Sequence, residues 1–167
     1  MPITLAQVLQ QQVKHLCMRT MNALIGGLVG SVTTTWLHQY LRTKYTDAPR
    51  MDKLGEETLN ETITRTGHEP LRGDTLHITT LTGDLLGNAA YYALAGAGSR
   101  KTTVEKGLLL GLAAGAGAVF IPQVSRSMDE TYSNKTTRTQ LLTLAIYLAG
   151  GLAAGVVISC ANKIARQ

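Results

Sequence analysis

The sequence predicts an all-α integral membrane protein: a four-span helical bundle with small-xxx-small glycine packing and an amphipathic helix in the first inter-span loop. Three observations predict it. Of 17 glycines, all but Gly55, Gly67 and Gly73 lie in or beside four apolar stretches. Of the 16 basic and 11 acidic residues, only Asp84 stands well inside one of those stretches. Glycines also recur four residues apart in every stretch: Gly26/Gly30, Gly83/Gly87, Gly107/Gly111/Gly115 and Gly151/Gly155. On a helix that spacing puts the glycines along one groove, where a second backbone can approach with no side chain between. A soluble helical domain instead carries charge along the outer face of each helix. A soluble core of this size also uses more phenylalanine than the single Phe120. The hydrophobic content of 44% and mean hydropathy of +0.05 look ordinary only because they average over this segregation.

Residues 1–20 are predicted as an amphipathic, interfacial helix. Ile3, Leu5, Val8, Leu9, Val13 and Leu16 fall largely on one face, with glutamines and Lys14 opposite. The apolar run that follows continues into TTTWLHQYL without a small-residue cleavage site, so the start does not read as a signal peptide.

The first span covers residues 21–41. Its Thr33–Thr35 run is tolerable in a membrane because threonine hydroxyls can bond back to the preceding turn. Trp36 and Tyr40, with Arg42 and Lys44 beyond, read as an interfacial belt, and His38 as a hydrated member of it. Residues 42–74 form a polar loop with six basic and seven acidic residues. Within it Pro49 suits a helix's first turn, Asp52 its dipole and Gly67 its end. The cluster Glu56, Glu57 and Glu61 reads as a solvated helix face.

The second span covers residues 75–97. Its first half, LHITTLTGD, is polar for a bilayer, and an aspartate at a helix centre costs about 2.5–3.5 kcal/mol on insertion scales. The third span, residues 104–122, is closed by Pro122. A polar loop, residues 123–139, leads to the fourth span, residues 140–162, with Lys163 and Arg166 at its end.

No catalytic, cofactor-binding or metal-ligating set emerges. AGAGSRKTT lacks the P-loop spacing, His68-Glu69 has no second histidine for a zinc motif, and Cys17 and Cys160 make no CxxC. The chain therefore does not read as an enzyme. The net charge of +5 comes without a basic run or an aromatic platform, which argues against nucleic acid.

One constellation has chemical potential. His77, Leu81, Asp84, Asn88, Tyr91 and Ala95 repeat at spacings of four and three, giving a stripe polar at His77, Asp84, Asn88 and Tyr91. Asp84 would either accept bonds from first-span threonines and lock the bundle, or serve a proton or cation. The expected function is that of a structural or accessory membrane subunit acting through helix–helix association. The alternative is a small oligomeric channel or transporter using the Asp84 stripe. The expected partners are the lipid bilayer and either further copies of the chain or a larger membrane complex. Arg100, Lys101 and Lys106 make the 98–106 turn densely basic, which points to a bacterial inner (plasma) membrane protein with both termini cytoplasmic.

Overall fold

The computed structural model describes residues 5–125 and 128–165, with the backbone alone at Arg100. Ile3 of the amphipathic face and Arg166 of the basic end lie outside the described residues. The chain is 85% helix and has no strand among the described residues. Six α-helices follow in order: α1 (Leu5–Lys44), α2 (Met51–Arg65), α3 (Gly73–Ala93), α4 (Thr103–Val124), α5 (Thr131–Asn134) and α6 (Thr137–Ile164).

The long helices pack in the order α3, α1, α6, α4. Glycine decides these contacts. A Cβ on Gly30 would lie 2.7 Å from the Gly150 carbonyl oxygen, and one on Gly26 2.9 Å from that of Ala154, so α1 and α6 touch backbone to backbone. Between α4 and α6, a Cβ on Gly111 would lie 2.6 Å from the Tyr147 oxygen, and one on Gly155 2.9 Å from Val104 Cα. Gly115 is equally tight, 3.0 Å from Leu144 Cα. On its other side α1 meets α3 through Gly27, whose Cβ would stand 2.8 Å from the Ala93 nitrogen.

Gly83 and Gly87 depart from the expectation: nothing lies within 4 Å of a Cβ at either position. The reason is rotational. α3 offers α1 the face carrying Leu85, Ala89 and Ala93, and this turns the glycine pair outward.

The interior mixes small and polar residues with a few large ones, Tyr92, Val119, Ile146 and Ile158, while many large apolar side chains lie outside. Ser31, Thr34, Thr139, Thr143, Ala154 and the packing glycines are buried, while Leu28, Ile78, Leu86, Leu109, Phe120, Leu141 and Val156 are exposed. Interior hydroxyls satisfy themselves locally. Thr34 donates to the Gly30 carbonyl at 3.1 Å and Thr143 to Thr139 at 2.8 Å. Tyr92, fully buried, ties α3 to α6 by donating to the Tyr147 carbonyl at 3.0 Å.

Two helices, α4 with 22 residues and α6 with 28, are long and apolar enough to cross a membrane. α1 and α3 have the length, at 40 and 21 residues, but the Thr33–Thr35 run and the LHITTLTGD half dilute them. α1 is also unbroken from Leu5, so the predicted interfacial segment continues the axis of the predicted first span. Pro122 sits inside α4, two residues before its end at Val124.

Candidate functional site

α2 is positioned by ion pairs at both ends of its first half. Asp52 receives Arg50 at 3.2 Å and Arg42, from the end of α1, at 3.1 Å. Burial would raise the Asp52 carboxyl, but the Arg50 hydrogen bond and the Arg42 charge outweigh it and hold it below the usual range. One turn on, Glu56 accepts from Lys53 at 2.7 Å and meets His77 Nδ1 of α3 at 3.0 Å. These two bonds, Lys53 first, hold Glu56 below the ordinary glutamate range. Glu56 is thus a tether between α2 and α3 and not part of a freely solvated face.

Gly55 lets the helices close. A Cβ there would lie 2.7 Å from Thr80 Cγ2 and 3.3 Å from Asp84 Oδ2. α2 therefore crosses directly over the middle of α3, with Leu54 buried beneath it.

Under α2 the bundle is open. α3 and α4 are bridged where the Tyr91 hydroxyl donates to the Leu110 carbonyl at 3.0 Å. Elsewhere they stand apart around a cleft with two compartments. One, of about 520 Å³, lies against α4 and is lined by Asn88, Tyr91, Ala114, Gly117 and Ile121. The other, of about 390 Å³, lies against α3 and is lined by Thr79, Thr80, Gly83 and Asp84. Met51, Leu54, Thr58 and Tyr147 line both.

Thr58 and Tyr91 are satisfied by backbone carbonyls, but three other polar side chains of this region have no partner among the described residues. Thr80 is 6% exposed, and its buried hydroxyl has no hydrogen bond. The Asp84 carboxylate makes no hydrogen bond or ion pair among the described residues. Behind Tyr147, whose ring it meets edge-on at 5.6 Å, His38 has both ring nitrogens buried without a partner. No family model matches the chain, and no curated protein or solved structure matches it either. The cleft must be read from its own chemistry.

The predicted stripe is thereby divided. His77 is drawn to Glu56, Tyr91 to α4, Asn88 faces the compartment on α4, and Asp84 the one on α3. The bonds expected from α1 threonines to Asp84 are not made. Asp84 points toward α2, and the α1 hydroxyls go elsewhere: Ser31 to the Leu85 carbonyl at 2.7 Å and Thr34 to Gly30 and Tyr92. His38 is likewise covered by the fold and is not a hydrated belt residue. Sequence reasoning missed Thr80 and Tyr147, which carry no local signal beyond being polar residues in apolar helices. No three His, Cys, Asp or Glu side chains come together as a metal set among the described residues.

Proposed function

We propose that the chain is a four-span integral membrane protein that acts as a structural or accessory subunit, seating a partner helix on the outer face of α3. What supports the membrane reading is the set of large apolar side chains that lies outside. A soluble monomer seldom exposes apolar surface of this extent, whereas lipid solvates it at no cost. At about 1.5 Å per residue the 21 residues of α3 reach about 32 Å, enough for a hydrocarbon core. The tethers to α2 and the contacts with α1 would carry its polar half.

One observation carries the association reading. The glycine pairs of α1, α4 and α6 each meet a helix within the chain, and only Gly83/Gly87 meet nothing. Gly87 and Ala90 continue the same exposed groove toward Leu94. In lipid, where apolar side chains gain nothing by leaving solvent, such a groove is where a further helix packs by close van der Waals contact.

The test is copurification from native membranes in a mild detergent. A fixed partner is expected with the native chain. The double substitution Gly87→Leu with Ala90→Leu is expected to release it while leaving the melting temperature unchanged, since neither side chain meets the bundle. A complex that survives the double substitution, or a native chain that purifies as a single copy, overturns the proposal. A closed ring of identical copies would move the assignment to the channel reading.

A further inference from the structure

The cleft beneath α2 combines three features of a ligand site. It has room: about 520 Å³ against α4 and about 390 Å³ against α3, each within the range of small-molecule sites and both bordered by Met51, Leu54, Thr58 and Tyr147. It has a chemically distinct pole at each end. The α4 side is walled mainly by Ala114, Gly117 and Ile121, with Asn88 and Tyr91 at its edge, while the α3 side ends on Thr80 and Asp84. And that polar end is unsatisfied: among the described residues the buried Thr80 hydroxyl has no partner, and the Asp84 carboxylate has neither a hydrogen bond nor a counter-ion.

The described basic groups at the start of α2 and at the end of α1 are already committed. Arg42 and Arg50 are bound to Asp52, and Lys53 is bound to Glu56. Among the described residues no basic side chain is left to pair with Asp84, which leaves a place for a cation brought by a ligand. Asp84 is exposed into a compartment walled by Thr58, Thr62, Thr79 and Thr80, so a ligand can reach it, and a cation there gains charge-assisted hydrogen bonds.

We propose that this cleft binds a lipophilic organic amine, its ammonium group against Asp84 and Thr80 and its apolar body in the compartment against α4. An ammonium brings several N–H donors, which match a carboxylate and a hydroxyl acting as acceptors. Tyr147, common to both compartments, supplies an aromatic ring along the path of the cation. A bare metal cation fits less well. Calcium takes six to eight oxygen ligands and magnesium a near-octahedral set, and one carboxylate with one or two hydroxyls does not approach either. The cleft adjoins the groove at Gly83, which lines the α3 compartment, but Asp84 and Gly117 lie outside the Gly87/Ala90 stretch substituted above, so the two tests are read independently.

The experiment titrates the purified full chain in detergent micelles with dansylcadaverine, a fluorescent primary amine with an aromatic body, and with its N-acetyl derivative. Saturable binding is expected for the amine and at least about tenfold weaker binding for the uncharged amide. Asp84→Asn is expected to weaken the amine about tenfold or more while the protein melts no lower than native, because a charge without a partner has been removed. Gly117→Leu should weaken it comparably by filling the apolar compartment. A Cβ at Gly117 meets only Ile121 Cδ1, at 3.5 Å, so the fold can accept the larger side chain. Should either variant fail to fold, Thr80→Val changes the polar end without altering charge or shape and is expected to cost several-fold. Equal affinity for amine and amide overturns the proposal, as does native affinity in Asp84→Asn. Displacement by sodium ions that choline at equal ionic strength does not reproduce would assign the site to an inorganic cation and overturn it too.

Discussion

Gly107 of α4 and Gly151 of α6 face each other reciprocally: a Cβ on either would overlap the other's carbonyl oxygen. Contact this close leaves no room for any side chain and makes the α4–α6 pair one rigid unit. Gly111 extends the seam, its absent Cβ 2.6 Å from the Tyr147 oxygen.

The first prediction follows from that seam. Gly111→Leu must push α4 off α6, since backbone cannot yield as a side-chain end can, and overpacking of this kind costs about 1–3 kcal/mol or more. Leu109, 65% exposed on the opposite side of α4, has little to lose on truncation to alanine. Thermal aggregation in detergent should begin well below the native temperature for Gly111→Leu and close to it for Leu109→Ala. Equal perturbation by the two would place the seam elsewhere.

The glycine periodicity was legible because it is a property of one helix at a time: Gly107, Gly111 and Gly115 share a face whatever packs there. Periodicity does not say which helix arrives, or whether one arrives at all. That is why Gly83/Gly87 looked the same as the others and yet meet nothing. His38 misled for a related reason. Its neighbours Trp36 and Tyr40 have the composition of a membrane interface, but its ring is covered by Tyr147, 109 positions further along the chain (147 − 38 = 109), and no local pattern announces that contact. The stripe from His77 to Tyr91 is divided among different partners. α2 settles over it at Gly55, and a connecting helix inserting between two others is a tertiary event invisible to spacing.

Acid should loosen α2, and this is the second prediction. Glu56 is held below the ordinary 4.5 of a glutamate, first by Lys53 and then by His77. A carboxyl depressed in the folded state stabilises fully above its unfolded value and loses that contribution as pH falls through its folded one. Asp52, also depressed, acts in the same direction at lower pH. Amide hydrogen exchange in α2 should therefore be slow and flat above about pH 5, after correction for the intrinsic rate, and accelerate below it. Glu56→Gln with Asp52→Asn should show faster exchange at neutral pH and little further acid response. An α2 whose protection in the native chain is indifferent to pH from neutrality to 3 would show that these pairs do not hold it.

The last prediction concerns how the four long helices lie across a bilayer. Two connections meet at one end of the bundle. The Asp129 backbone nitrogen donates to Glu57 at 2.9 Å, that of Arg50 to the Tyr132 carbonyl at 2.8 Å, and the Thr139 hydroxyl to the Asp47 carbonyl at 2.8 Å. At the other end Arg19 donates to the Gly98 carbonyl at 2.6 Å, and Lys106 reaches the carbonyls of Ala97 and Ser99 in the same turn. That second end gathers Lys14, Arg19, Lys101, Lys106 and Lys163 with Glu105 as its acid, and under the positive-inside rule such a density predicts a cytoplasmic side. With Cys17 and Cys160 replaced by serine, single cysteines at Glu57 and Asp129 should both react with an impermeant maleimide on intact cells. A cysteine at Lys163 should react only after permeabilisation. Labelling of Glu57 and Asp129 from opposite sides would refute the four-span arrangement, because residues joined by a direct hydrogen bond cannot lie across a bilayer from each other. Labelling of both from the inside would keep the arrangement and invert its orientation.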